Sequence, residues 1–448
     1  MLMAESAHAG RRAAAAVEQA VSCPTPVSAP GGQRPATAGS PLRHRNFALL
    51  WSGQTASIAG NGAFTVAMPL EVLRITNSSL DLALVVSART VPSVILLLIG
   101  GTFVDRLSRR TVMLVSDIVC GISVSLLALL VTSGRAHLWE FFLLSVIFGS
   151  ASAFFRPAST AIVRDILPAD LLVSASSLTS LSESMALYLL GPLTGGILVA
   201  TIGAGWAFGI DGASFAVSAA CLAAMRGITG VKAARSRLLA DVMDGLRFCY
   251  SQHWLWYSML GIGAANLVCF VPLGILQPLL VRNVFHAGAI ALGVMYAAAG
   301  GGGALASLAA TRWGTPRHQV ARMWSAWAVS GLCGAAIGLS PWLWMAVSFA
   351  GLSWGLATYG NILWLPLLQQ KTPAELLGRV SSVDWMLSFA LSPLGAIASG
   401  AAAAVIGVRL TLVAGGALAA AAGGILLVSG VAGPSRWRSS RSTPSRRD

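Results

Sequence analysis

The chain has 448 residues, of which 55% are hydrophobic and 10% charged, and its mean hydropathy is +0.73. A soluble domain carries about 25% charged residues, so a water-soluble globule is excluded and a polytopic membrane protein is expected. The formal net charge of +14 does not describe a nucleic-acid footprint, because the arginines stand in short loops and tails between apolar runs.

Residues 1–42 are rich in Ala, Ser, Pro and Gly and hold no run long enough for a signal-peptide core. They read as a disordered cytoplasmic tail. A helix of about 20 apolar residues crosses a hydrocarbon core of about 30 Å. On that measure the spans fall near 47–72, 82–104, 111–131, 138–160, 174–200 and 206–225. A basic segment, 227–254, follows, and its stretch 238–250 is amphipathic, as an interfacial helix is. Six more spans fall near 255–281, 288–311, 320–339, 342–367, 379–405 and 410–430, before a basic tail at 432–448. The expectation is an all-α membrane protein of twelve transmembrane helices in two six-helix pseudo-repeats, residues 43–226 and 255–431.

Lys and Arg accumulate on cytoplasmic loops. With the N-terminus inside, the outer loops carry Arg74, Arg135, Arg282 and Arg409, against fifteen basic residues on the inner loops. Both termini are therefore expected in the cytoplasm and the chain in the cytoplasmic membrane. The cysteines are scattered, without metal-ligand spacing, and no disulfide framework is expected. Walker loop, His-x-x-x-His, Cys-x-x-Cys and nucleophile elbow are all absent from the sequence. It therefore predicts no enzyme, no metal and no cofactor.

The turn between the second and third spans reads Gly101-Thr102-Phe103-Val104-Asp105-Arg106-Leu107-Ser108-Arg109-Arg110. This Gly-x-x-x-Asp-Arg-x-x-Arg-Arg pattern resembles the signature loop of the major facilitator superfamily, with Ser108 where the family often has Gly. Further stretches are Phe155-Arg156-Pro157-Ala158, Ile166-Leu167-Pro168, Asp211-Gly212-Ala213-Ser214-Phe215 and Leu377-Gly378-Arg379-Val380-Ser381-Ser382. Together they resemble the branch that includes macrolide-efflux proteins and the enterobactin exporter. The resemblance implies a facilitator fold, a cytoplasmic latch at the signature loop and secondary active export, usually by proton antiport. It leaves open a hydrophobic or amphiphilic drug or a dedicated siderophore or metabolite as cargo. The partners it implies are a small molecule, protons and the lipid bilayer. The chain is separately expected to act as a monomer.

An ionisable group in the hydrocarbon region costs about 2.5 kcal/mol or more, so such groups are functional candidates. Glu183 in span five and Arg89 in span two stand at similar depth, near the midplane. They read either as a proton-exchanging carboxylate with its charge partner or as a static ion pair. A carboxylate poised between burial and a nearby cation can exchange protons at neutral pH. Asp117 and Asp384 lie near the inner face and read as latch partners of Arg106, Arg109 or Arg379. Asp211, shallow in span six, reads first as a helix-packing residue and second as a proton-binding site. Glu71, beside Arg74, reads as a solvated pair or an outer proton entry point. Asn61 breaks the first span with a small, polar patch. In the second half, Asn266, Gln277, Tyr296, Trp354, Tyr359, Asn361 and Trp364 are the candidates to line a cavity for a bulky amphiphile.

Overall fold

The computed structural model describes residues 40–104, 108–226, 238–313, 316, 318–373 and 376–429. Asp105, Arg106, most of the basic segment before residue 238, and the expected tails apart from residues 40–42 lie outside them.

The first helices are α1 (Arg45–Thr76), α2 (Ser79–Val104), α3 (Arg109–Thr132) and α4 (Leu138–Ile166). The α1–α2 turn works because Asn77 takes a left-handed φ of 52° and its N–H reaches back to Leu73 O. Asn tolerates that conformation better than most side chains. Ser108 caps α3, accepting from the Thr111 N–H at 3.1 Å. Helix α5 is built of Leu172–Glu183, a π-helical stretch Ser184–Leu190 and Gly191–Thr201. Helix α6 is Ala204–Ala224, and α7 is the amphipathic Leu238–Ser251.

Helix α8 runs through His253–Ala265, Asn266–Phe270, Val271–Leu279 and Leu280–Val284, with the second and fourth pieces π-helical. It is followed by α9 (Ala289–Trp313), α10 (Gln319–Leu339) and α11 (Leu343–Lys371). Helix α12 is made of Leu377–Phe389 and Ser392–Ile406, and α13 is Val408–Val428.

Among the described residues, nine helical segments are long and apolar enough to cross a membrane. Helices α1, α10 and α11 occupy the expected first, ninth and tenth spans but fall short of that apolarity, because Gly, Ser, Trp and Asn dilute them. Twelve spans are thus not established by composition. The outward side chains suit hydrocarbon: Leu129 is 64% and Val405 85% exposed, a surface that water would disfavour.

The packing repeats. In the first set the extensive pairings include α3 with α6, α1 with α6, α2 with α4 and α3 with α4. After α7 the same pattern recurs as α10 with α13, α8 with α13, α9 with α11 and α10 with α11. The link between the last two helices of each set is also the same: a glycine at positive φ, Gly203 at 93° and Gly407 at 86°. The sets meet through α2 with α12 and α5 with α9, which are again equivalent pairs.

These cross contacts are tight at the end of the bundle that carries the Asn77 turn. Ser79 Oγ donates to Gly400 O at 2.7 Å, and Ser87 Oγ to Pro393 O at 3.3 Å. A Cβ on Gly196 would stand 3.2 Å from Gly293 Cα, so these backbones touch with no room for side chains.

Candidate functional site

A cavity of about 380 Å³ lies where the two sets meet. Its walls come from α1, α2, α5, α8, α9, α10 and α11. Aromatic and apolar side chains dominate: Phe64, Met68, Leu187, Tyr188, Phe270, Tyr296 and Trp354. Thr65, Thr90, Gln277 and Ser353 add polar points, and Arg89 is the one charged residue among the lining residues described.

Arg89 is held from three sides. Its Nη2 donates to Asn61 Oδ1 at 3.3 Å, and its guanidinium carbon lies 3.9 Å over the Phe148 ring and 5.1 Å from that of Phe64. Such cation–π contacts strengthen when desolvated. The α2–α4 crossing places it, since Gly149 packs directly on the Arg89 carbonyl and Ser93 Oγ donates to Gly149 O at 2.8 Å.

Glu183 is not its partner. Glu183 Oε1 lies 3.6 Å from Arg156 Nη2, in a half-exposed pair, and Arg156 in turn stands 5.7 Å over Trp385. The expected Glu183–Arg89 pair is corrected. Equal depth is not proximity, because the side chains point where the turn of each helix sends them. The carboxylate within the field of Arg89 is Asp211. It is fully buried in the protein, and its Oδ2 has no hydrogen-bond partner.

The expected latch partners also part company. Arg109 Nη1 pairs with Asp165 Oδ2 at 2.6 Å, and Arg110 donates to the terminal α6 carbonyls of Leu222 (2.7 Å) and Ala223 (2.6 Å). Cations at a helix C-terminus are favourable. Asp117 is buried at 2% exposure against α6, with its Oδ2 unpartnered. Asp384 accepts from Trp364 Nε1 at 3.1 Å. Among the described residues neither forms an ion pair, and Arg106, one of the expected partners, lies outside them. Arg379 packs its backbone carbonyl on Gly245 of α7. Gly101 lies in α2, while Asp105 and Arg106 fall outside the described residues. The Glu71–Arg74 pair forms at 2.6 Å, with an exposed guanidinium (64%) over a buried carboxylate (6%).

Of the other cavity candidates, Gln277, Tyr296 and Trp354 line the space, and Tyr296 donates to Gly274 O at 3.2 Å. Asn61 reaches it through Arg89. Asn266 instead donates to Ser388 O at 3.0 Å. Trp364 and Tyr359 pack in a separate cluster with Trp324 and Trp327, and Asn361 is exposed away from the lining. Phe64, Phe148, Tyr188 and Asp165 carry no distinguishing pattern in the sequence. Phe64 stands three residues from Asn61, Asp165 adjoins the Ile166-Leu167-Pro168 stretch, and Tyr188 stands five residues from Glu183, so each had a neighbour that marked its helix. Among the described residues no group of His, Cys, Asp and Glu is arranged to hold a metal.

A helical membrane bundle with two like sets of helices around a central amphiphilic cavity has the construction of a transporter. The chain belongs to the transmembrane secretion effector family of the major facilitator superfamily, whose model matches residues 36–443. Similar curated proteins include the multidrug efflux pump Tap of Mycolicibacterium fortuitum, 28% identical over 82% of this chain and 91% of that protein. The enterobactin exporter EntS of Citrobacter koseri is 26% identical over 76% and 81%. Two solved structures share the fold. The nucleoside transporter NupG matches at TM-score 0.67 with 11% identity, covering 85% of this chain and 98% of that one. A bacterial homologue of the iron transporter ferroportin, in its inward-facing state, matches at 0.66 with 14% identity, covering 87% and 100%.

Proposed function

We propose that this multi-pass membrane transporter exports an amphiphilic small molecule from the cytoplasm by proton antiport, through alternating access of residues 43–226 against 255–431. The observation that carries the reading is the cavity itself. Its space of about 380 Å³, walled by aromatic rings with few polar points, suits a bulky, largely apolar ligand held by a small number of directional contacts. The likeness to Tap supports a drug-like cargo. The likeness to EntS and the arginine in the wall keep a dedicated siderophore or metabolite as the second reading.

The bias of basic residues toward the Arg109 end supports the reading that this end, and both termini with it, faces the cytoplasm. The packed Asn77 end is then extracellular, and the conformation is closed to the outside. Rocking must open those α2–α12 and α5–α9 contacts to release cargo. In this reading the chain works as a monomer, supported by one copy holding the cavity and both sets of helices.

The test is accumulation of labelled macrolides, cationic dyes and siderophores in an efflux-deficient bacterial host. Expression of the protein is expected to lower accumulation of at least one amphiphile, and a protonophore is expected to reverse it. Lower accumulation that survives the protonophore removes proton coupling. An effect confined to siderophores selects the second reading.

A further inference from the structure

The polar groups of the cavity wall divide into those whose hydrogens are committed and those whose hydrogens are free. Thr65 Oγ1 donates to Gly62 O at 2.6 Å, Thr90 Oγ1 to Val86 O at 2.9 Å, Ser353 Oγ to Ser330 O at 3.0 Å and Tyr296 Oη to Gly274 O at 3.2 Å. A hydroxyl has one hydrogen to give, so these residues keep only lone pairs for a ligand. Gln277, Tyr188 and Trp354 line the same space, and among the described residues their N–H and O–H groups have no acceptor. Arg89 adds the one charge. A guanidinium has five N–H groups, and an acceptor stands beside one of them, Asn61 Oδ1 at 3.3 Å. Phe148 and Phe64 hold the cation by their ring faces, which supply no oxygen. No ion pair among the described residues includes Arg89, and no carboxylate is among the described lining residues.

The wall thus offers free donors and a positive charge, and lacks an acceptor of matching charge. We infer that Arg89 is the binding point for an oxyanion of the cargo, a carboxylate in the simplest case, and that the cargo is an anionic amphiphile whose apolar body lies against Tyr188 and Trp354. The inference rests on the export reading and names its substrate class. A planar oxyanion takes two parallel N–H bonds from a guanidinium, and such charged bonds are about twice as strong as neutral ones. A neutral amphiphile leaves the buried cation short of a partner. A cationic one meets repulsion that the apolar wall screens poorly. The body has its own place: the Tyr188 and Trp354 rings stand 6.1 Å apart, one on α5 and the other on α11. Head and body then engage helices of both sets, so the cargo bridges the joint that must move.

The experiment uses the purified full chain in a neutral detergent at pH 7, with probes that share one ring system: naphthylacetate, its neutral amide naphthylacetamide, and the cation naphthylethylammonium. Dissociation constants are measured by titration calorimetry. Wild type is expected to bind the acid about tenfold or more tightly than the amide, and the ammonium most weakly. Arg89→Gln should bring the acid to the amide's level. Arg89→Lys keeps the charge without the planar fork and should recover part of the difference, which separates a lost anion site from a lost fold. A preference for the acid that survives in Arg89→Gln overturns the assignment of Arg89. Equal or tighter binding of the ammonium by wild type overturns the anionic cargo and leaves export of another amphiphile standing. If wild type binds none of the probes, the site and the amphiphile cavity it rests on both fall.

Discussion

At the scale of single residues, the position of Arg89 depends on a glycine in another helix. Gly149 lets α4 lie directly on the Arg89 backbone, and any side chain there would collide with the carbonyl. Gly149→Ala is expected to cost about 1–3 kcal/mol of stability and to shift the guanidinium out of its place over Phe148. A lower melting temperature in detergent, together with weakened export, would be the signature. A variant as stable and active as wild type would show that α2 and α4 have slack. The Arg109–Asp165 pair makes a second residue-scale case. Asp165 is buried to 7% of its side chain, so Arg109→Ala leaves a carboxylate without its partner, at about 3 kcal/mol. Asp165→Asn should cost less, and the double variant should be no worse than Arg109→Ala alone. Additive losses in thermal unfolding would refute the coupling.

At the scale of helices, the two sets touch where side chains are smallest. Gly196 of α5 and Gly293 of α9 are in backbone contact. Gly293→Leu is therefore expected to wedge the Asn77 end open by about 1–3 kcal/mol, a population shift of about 5- to 150-fold. A cysteine at Ser353, a buried cavity position, would report it. In intact cells an impermeant thiol reagent should label Ser353→Cys faster in the Gly293→Leu background. Equal labelling would mean that this contact does not gate the cavity. Element boundaries were largely legible in the sequence, because apolar runs of membrane length leave few alternatives to helix. The π-helical stretches in α5 and α8 were not. Two of them, Ser184–Leu190 and Asn266–Phe270, end just before Pro192 and Pro272, and nothing in hydropathy marks a change of register.

At the scale of the whole molecule, the sequence by itself determined the class: a polytopic helical bundle, split in the middle by a basic segment, with a charged turn after the second helix. Those features are carried by composition and by residues adjacent in the chain, so they survive without knowing what touches what. The basic bias likewise needs only a count along the chain. Tertiary structure decided the pairings. Arg89 meets Asn61, Phe148 and the field of Asp211 rather than Glu183, Glu183 meets Arg156, and Arg109 meets Asp165. Each of these partners stands on a different helix, and each residue along a helix turns the side chain by about 100°. A depth read from sequence gives height in the membrane but not direction around the axis. The cavity has the same origin: it is the space left where α1, α2, α5, α8, α9, α10 and α11 fail to close, and no one of those helices records it.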